Sequence, residues 1–438
     1  MPRTLLFFFA FISICGFAPA QDSFHLEDGR KRDRIPFKLV NNLVIIPVTL
    51  NDVELSFLVD TGVSTTVLLN LNEEDSMELR QAQKIRLRGL GGDKHIEAYR
   101  SLNNSISIGK AVSDDLTVYL IFDEKVNFSP RLGVPVHGII GYDLFEDFIV
   151  EINYSRKFLR LHDPETFKKN LKRYKRIPLQ FSDNKPYIKA EVEVSDETLE
   201  ATLLIDNGLG DALWLFNTEG NIPVPEPAFE DLLGLGFLGD VRGKRTRVEE
   251  LEVGPFALEE VLTSFPDSTS IRGLRLFANR DGSIGSEVLR RFNLIFDYKN
   301  GWMYMKKNRY FDDPFNYDMS GIVLEHSGFM VVETMDVLTP NRLYDYGDTE
   351  INPIATVIKG FELQPSFTIV NIREGSPADI AGLQPGDVVQ KVNGKKAFRF
   401  ELEGLTALLS SEAGKDIRVE VLRDGKLMRF EFRLQKLL

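Results

Sequence analysis

At 438 residues the chain is too long for one ordinary domain and suggests about two to four. Apolar residues make up 43% and charged residues 27%, enough for a core in each domain of a soluble globular protein. A formal charge of −12 argues against nucleic acid as a partner, and the densest basic run, residues 168–176, is short.

The N-terminus reads as a processing segment. Arg3 supplies a positive end, residues 5–14 are unbroken apolar, and Ala18-Pro19-Ala20 fits a small-x-small cleavage rule. A signal peptide over residues 1–20 is therefore expected, with the mature chain exported to the periplasm or secreted. The rival is a lipid anchor on Cys15, which asks for a small residue where Ile14 stands. No later segment approaches the roughly 18 apolar residues of a spanning helix, so no transmembrane segment is expected in the mature chain. Cys15 is the only cysteine, so a mature chain would hold neither a disulfide nor a thiol nucleophile.

An internal repeat follows. Leu55-Ser56-Phe57-Leu58-Val59-Asp60-Thr61-Gly62 returns in outline as Ala201-Thr202-Leu203-Leu204-Ile205-Asp206-Asn207-Gly208, an offset of 146. Gly138-Ile139-Ile140-Gly141, running on through Phe148 and Tyr154, returns as Gly282-Ser283-Ile284-Gly285, running on through Phe292 and Tyr298, an offset of 144. Short Val/Ile/Leu/Phe runs between turn signals such as Asn51-Asp52 and Ser182-Asp183-Asn184 predict strands. Each half is expected to carry one short helix after its Gly-x-x-Gly element. Residues 163–176 read as a polar connector, expected helical, and residues 308–315 as a second linker.

A carboxylate ending an apolar strand is costly unless it is paired or functional. Gly62 and Gly208 permit a sharp turn and close approach of another backbone. Two such loops meeting across a pseudo-twofold axis would bring Asp60 and Asp206 within hydrogen-bond reach, sharing one proton because two like charges there cannot both ionise easily. One carboxylate would then activate water while the other protonates the amide oxygen, and the titration would belong to the pair.

Leu58-Val59-Asp60-Thr61-Gly62-Val63-Ser64 with Gly138-Ile139-Ile140-Gly141 resembles the retropepsin and pepsin superfamily. The resemblance covers roughly residues 35–306. It implies a mostly β chain with two pseudo-symmetric retropepsin-like β-barrel lobes (35–162 and 177–306) in a bilobal aspartic-protease fold. It also implies catalytic roles for Asp60 and Asp206, with support from Thr61, Gly62, Asn207 and Gly208. Arg88-Gly89-Leu90-Gly91-Gly92 resembles the glycine-rich substrate flap, which would place Gly89, Gly91 and Gly92 over the cleft; residues 239–243 and 248–253 hold the matching place in the second half. Gly234-Leu235-Gly236-Phe237 reads as the approach to that second flap. One departure stands out: Asn207 occupies the position where the family has Thr or Ser, whose hydroxyl bonds to the opposite loop. Asn has both a donor and an acceptor and is able to substitute with a different geometry.

The five histidines show no metal-ligand spacing and there is no nucleophile elbow, so neither a metal nor a cofactor beyond water is expected. Towards the C-terminus, Gly375-Ser376-Pro377-Ala378 through Gly382, Pro385-Gly386-Asp387 and Val392-Asn393-Gly394 resembles bacterial PDZ domains, implying an α+β PDZ-like unit over 318–438. Ser376 is expected to cap a short helix with Pro377 at its first position, and Asn393-Gly394 to close a hairpin. A PDZ domain adds a peptide as a strand and holds its terminal carboxylate on backbone amides. Ser320, Gly321 and Ile322 are the candidates for that loop, and a C-terminal peptide the candidate ligand. Residues 326–366 form an insertion that could cover the groove, occupy it, or merely extend the sheet. The arrangement resembles single-chain, PDZ-bearing retropepsin-like peptidases of Gram-negative bacteria. The leading functional expectation is an exported aspartic endopeptidase acting on peptide or protein substrates; the alternative is a degenerate, non-cleaving peptide-binding scaffold.

Overall fold

A computed structural model describes residues 23–69, 77–88, 95–122, 126–217, 222–236, 239–271, 280–338 and 356–438. The expected flap glycines Gly89, Gly91 and Gly92, the signal segment 1–20 and the middle of the 326–366 insertion lie outside these residues.

Among the described residues the first half builds β1 (Leu43–Leu50), β2 (Val53–Val59), β3 (Thr66–Leu69), β4 (Gln83–Arg88), β5 (His95–Ile108), β6 (Ala111–Ile121), α1 (Ser129–Leu132), β7 (Gly138–Ile140) and α2 (Tyr142–Asp147). The second builds β8 (Lys185–Val194), β9 (Glu197–Asp206), β10 (Leu213–Leu215), β11 (Phe229–Gly236), β12 (Gly239–Val253), β13 (Phe256–Pro266), β14 (Gly282–Gly285) and α3 (Ser286–Leu289). The strands pair in the order β1-β2-β7-β3-β6-β5-β4, with β5 returning to β1. In the second half the path is β8-β9-β14-β10-β13-β12-β11, with β12 returning to β8. The sequence repeat is thus a repeat of one closed sheet path.

Local chemistry sets this path. The Asn51-Asp52 and Ser195-Asp196 turns both take positive φ at their two residues, the geometry that joins β1 to β2 and β8 to β9 in tight hairpins. β7 runs parallel to β2 with Gly138 opposite Phe57, and β14 runs parallel to β9 with Gly282 opposite Leu203. A Cβ on Gly138 would lie 2.5 Å from the Phe57 ring, and one on Gly282 2.0 Å from the Trp214 carbonyl, so a side chain at either position would push the inserted strand out. Phe57 is fully buried beneath; its truncation to Ala should cost about 3–5 kcal/mol.

A six-stranded sheet joins the lobes. It runs Lys175–Pro178, Trp302–Lys307, Phe292–Asp297, Ile149–Asn153, Phe158–His162, Arg32–Pro36, with Val150 opposite Phe296 at the centre. The expected helix in the 163–176 connector does not form: Asp163 instead caps a turn by accepting from Glu165 N and the Thr166 hydroxyl, and Lys175 already begins a strand. Phe167, Leu171 and Tyr174 lie at helical spacing, but Phe167 packs edge-on against His162 and Lys169 pairs with Glu151 at 2.6 Å, contacts that tie the segment to the interlobe sheet without a helix. After the last strand of this sheet, buried Arg291 holds the 308–315 segment by donating to the carbonyls of Phe311 and Asp313.

The C-terminal unit holds β15 (Ile322–Leu338), β16 (Thr356–Ile372), α4 (Pro377–Ile380), β17 (Val388–Val392), α5 (Leu402–Leu409), β18 (Asp416–Arg423) and β19 (Lys426–Arg433). Ser376 caps α4 by accepting from Asp379 N, and Asn393-Gly394 turns with positive φ, as the sequence implies. The insertion's described arms lengthen β15 and β16, which stay paired out to Leu338 opposite Thr356. These described arms extend the sheet.

Candidate active site

Each aspartate ends a central strand whose neighbour is the inserted glycine strand. Asp60 N donates to the Ile140 carbonyl, and Tyr142 N to that of Val63. In lobe 2 Gly285 N donates to Ala212 O and Ser286 N to Leu209 O. The two loops are clamped in equivalent ways, and Gly141 and Gly285 allow it: a Cβ on Gly141 would sit 2.2 Å from Val63 O, and one on Gly285 2.1 Å from Asp211 O.

The loops meet at the lobe interface. Gly62 N donates to Asp60 Oδ1 at 2.7 Å and Gly208 N to Asp206 Oδ1 at 3.1 Å. A Cβ on Gly208 would lie 2.2 Å from Asp60 Oδ2, and one on Gly62 3.2 Å from Asp206 Oδ1. Each carboxyl therefore leans over the opposite glycine. Burial is the main force raising both acids above the ordinary carboxylate range. The Asp206 charge adds to the rise at Asp60, while Arg280 and Lys185 only partly offset it at Asp206. Each carboxyl acts on the other's ionisation, so the titration belongs to the pair.

Thr61 and Asn207, both buried, hold the loops together asymmetrically. The Thr61 hydroxyl donates to Ile205 O at 2.7 Å and accepts from Asn207 N at 3.1 Å. Asn207 does not return a matching bond to lobe 1's strand. Its Oδ1 stands 3.1 Å from Thr61 Oγ1, and its Nδ2 donates to the Tyr154 hydroxyl at 2.6 Å. Ser286 Oγ then donates to the Asn207 carbonyl. Tyr154 and Ser286 escaped the sequence reading. The Tyr154/Tyr298 pair was visible in the repeat, but nothing tied either ring to the loops. Tyr298, its symmetry mate, keeps a buried hydroxyl with no partner among the described residues.

The flap glycines are not described, but the flanking strands are: β4 and β5 pair antiparallel up to Arg88 opposite His95. In lobe 2, β11 and β12 pair up to Gly236 opposite Gly239, so Gly234 and Gly236 lie on the approach to that hairpin. His137 accepts from Ser56 N beside the inserted strand. Among the described residues, no group of three or more His, Cys, Asp or Glu is placed to hold a metal ion.

The C-terminal loop differs from expectation. Its amides are already spent: Ser320 N and Gly321 N donate to the Asp318 carboxylate at 3.2 and 2.5 Å, and Ile322 N to Ser320 Oγ at 3.1 Å. An internal carboxylate thus occupies the donors assigned to a ligand's terminus. Burial pushes Asp318 up to about 6 despite these bonds.

Two barrels built on one repeat, joined by a shared sheet and meeting at paired Asp-x-Gly loops, define the bilobal aspartic-protease architecture. The aspartyl protease family model matches residues 46–144, and the PDZ domain model matches residues 368–423. The chain thus carries an aspartyl protease domain and a C-terminal PDZ domain. It is also similar to a solved aspartic proteinase from Irpex lacteus, at 12% identity and a TM-score of 0.42, over 65% of this chain and 100% of that one.

Proposed function

We propose that the chain is an exported aspartic endopeptidase whose Asp60/Asp206 pair activates a water against a peptide carbonyl. The observation that carries this is the convergence of the two carboxyls over each other's glycines, in a setting that raises both acids. In this reading ionised Asp206 takes a proton from the water, and Asp60 gives its proton to the carbonyl oxygen as the tetrahedral adduct forms. Thr61 and Asn207 keep the pair in register. A degenerate scaffold would be expected to have diverging carboxyls. The PDZ domain supports peptide recognition alongside cleavage, and residues 1–20 support export.

The test is digestion of a mixed peptide library across pH by the mature chain and by Asp60→Asn and Asp206→Asn. Both variants should fold and lose cleavage; wild-type-like activity in either would sink the two-aspartate mechanism. Because both acids are raised, the last shared proton should leave only above the ordinary carboxylate range. The alkaline limb of kcat/KM should lie there, and the acid limb should mark protonation of the second carboxyl.

A further inference from the structure

The lobes share a sheet path but not a lining. In lobe 1, Ile45 stands opposite Leu58, and Ile139 opposite Val67. These four, with Leu43 and Val136, belong to one buried apolar cluster beside the strand that ends in Asp60. In lobe 2 the same registers put Tyr187 opposite Leu204 and Ser283 opposite Trp214. Leu43 lies two residues before Ile45, so its counterpart is Lys185, two before Tyr187. Val136 lies three before Ile139, so its counterpart is Arg280, three before Ser283. An apolar lining in one lobe has become polar and cationic in the other.

Both cations sit on the face that bears Asp206. Carrying the Tyr187–Leu204 register two residues further sets Lys185 across from Asp206. Arg280 Nε donates to Gly282 O at 3.0 Å, Nη2 bonds Ser283 Oγ, and the guanidinium carbon lies 5.2 Å from the centre of the Phe216 ring. The guanidinium is thus pinned along the inserted strand. Both cations act on the dyad, and the dyad's charge acts back on each of them.

We propose that the lobe 2 side of the cleft is an anion-binding subsite in which Lys185 and Arg280 receive a substrate carboxylate, while the lobe 1 side takes an apolar group. The carboxylate is either an Asp or Glu side chain flanking the scissile bond or the substrate's own C-terminus. Arginine suits the role because its planar fork meets a carboxylate in two places. The inference rests on the peptidase reading above and adds its substrate class. Burial pulls both cations below their usual range, which is the state an incoming anion would relieve.

The test uses the full chain and peptide pairs that differ only in Glu against Gln beside the cleaved bond, plus the same sequences as C-terminal acid and amide. The acidic member of one pair should be favoured about tenfold in kcat/KM, as one charge-assisted hydrogen bond implies; which pair responds identifies the source. The preference should shrink with salt and vanish in Lys185→Met and Arg280→Met. Wild-type chain alone decides if those variants misfold. Cleavage that treats both pairs alike, within about twofold, would overturn the subsite while leaving the peptidase intact, the cations then serving only the dyad. If wild-type chain cleaves nothing, the peptidase reading fails by itself. Fluorescence anisotropy with the same pairs then decides: tighter binding of an acid sustains the anion site, and equal binding overturns it.

Discussion

Asn207 is the residue at which this chain leaves the family pattern, and its surroundings explain how the departure is tolerated. A threonine there would restore a hydroxyl for the lobe 1 strand, but it would abandon the Tyr154 hydroxyl, which is fully buried. A buried polar group left without its partner costs about 1–3 kcal/mol. Asn207→Thr should therefore lower the melting temperature, and Asn207→Ala more so. Adding Tyr154→Phe to Asn207→Thr should recover much of the loss, because the stranded hydroxyl goes with it. Thermal unfolding of wild type, Asn207→Thr, Tyr154→Phe and the double variant forms a double-mutant cycle, and strict additivity would show that the two side chains are not coupled. The aspartates themselves were legible because the repeat marks them twice. Tyr154 was not, because a tyrosine 53 residues from its partner gives no local pattern. Lys185 and Arg280 were missed for a related reason: their meaning appears only when strand registers align the lobes.

At the scale of elements, alternation and turn residues made most of the architecture readable. The strands, the short helices after each glycine element and the capped α4 follow from local rules that tertiary contacts reinforce. The helix expected in the connector failed because charge composition alone cannot say whether a segment packs. The carboxylate loop failed more instructively. Its Ser320-Gly321 backbone has the expected form, but Asp318, two residues upstream, turns back onto the same amides. A peptide ligand therefore gains nothing from a free terminus at this loop. Peptides bound by the C-terminal unit should show equal affinity as free acids and as amides, within about twofold. Fluorescence titration of matched pairs checks this, and a strong preference for the acid would mean that Asp318 gives way. This prediction concerns the PDZ unit and is separable from cleavage by using Asp60→Asn chain.

The whole molecule is held by charges at two places, each with its own signature. In the interlobe sheet, burial alone would raise Glu151, but hydrogen bonds from His162 and Lys169 and the charge of Arg160 outweigh it and hold the acid at about 2. An acid lowered on folding contributes stability that is present above its unfolded value of 4.5 and is lost as pH falls towards 2. Glu151→Gln should therefore be less stable than wild type at neutral pH, with the deficit shrinking through that acid window. A constant deficit would assign the effect to packing. The second place is the seat of the C-terminal unit. Arg131 on α1 of lobe 1 reaches Glu325 on β15 at 2.5 Å and Asp240 on the lobe 2 hairpin at 3.0 Å. Gly133, next to α1, leaves room for Leu402 at the start of α5, since a Cβ there would lie 2.8 Å from that side chain. On the other side Arg373 lies 3.7 Å from Asp231 and over the Phe229 ring. One arginine thus ties three units together where β15 presents its open edge, the edge to which a peptide strand would add. Reversing it strands two carboxylates against a third. Arg131→Glu should loosen the C-terminal unit from both lobes while each keeps its own core. Limited proteolysis should then cut within residues 308–318 several-fold faster than in wild type, and Arg131→Lys should fall between, keeping charge but losing the fork. Cutting at an unchanged rate in Arg131→Glu would place the seat on the apolar contacts and the Arg373 side instead.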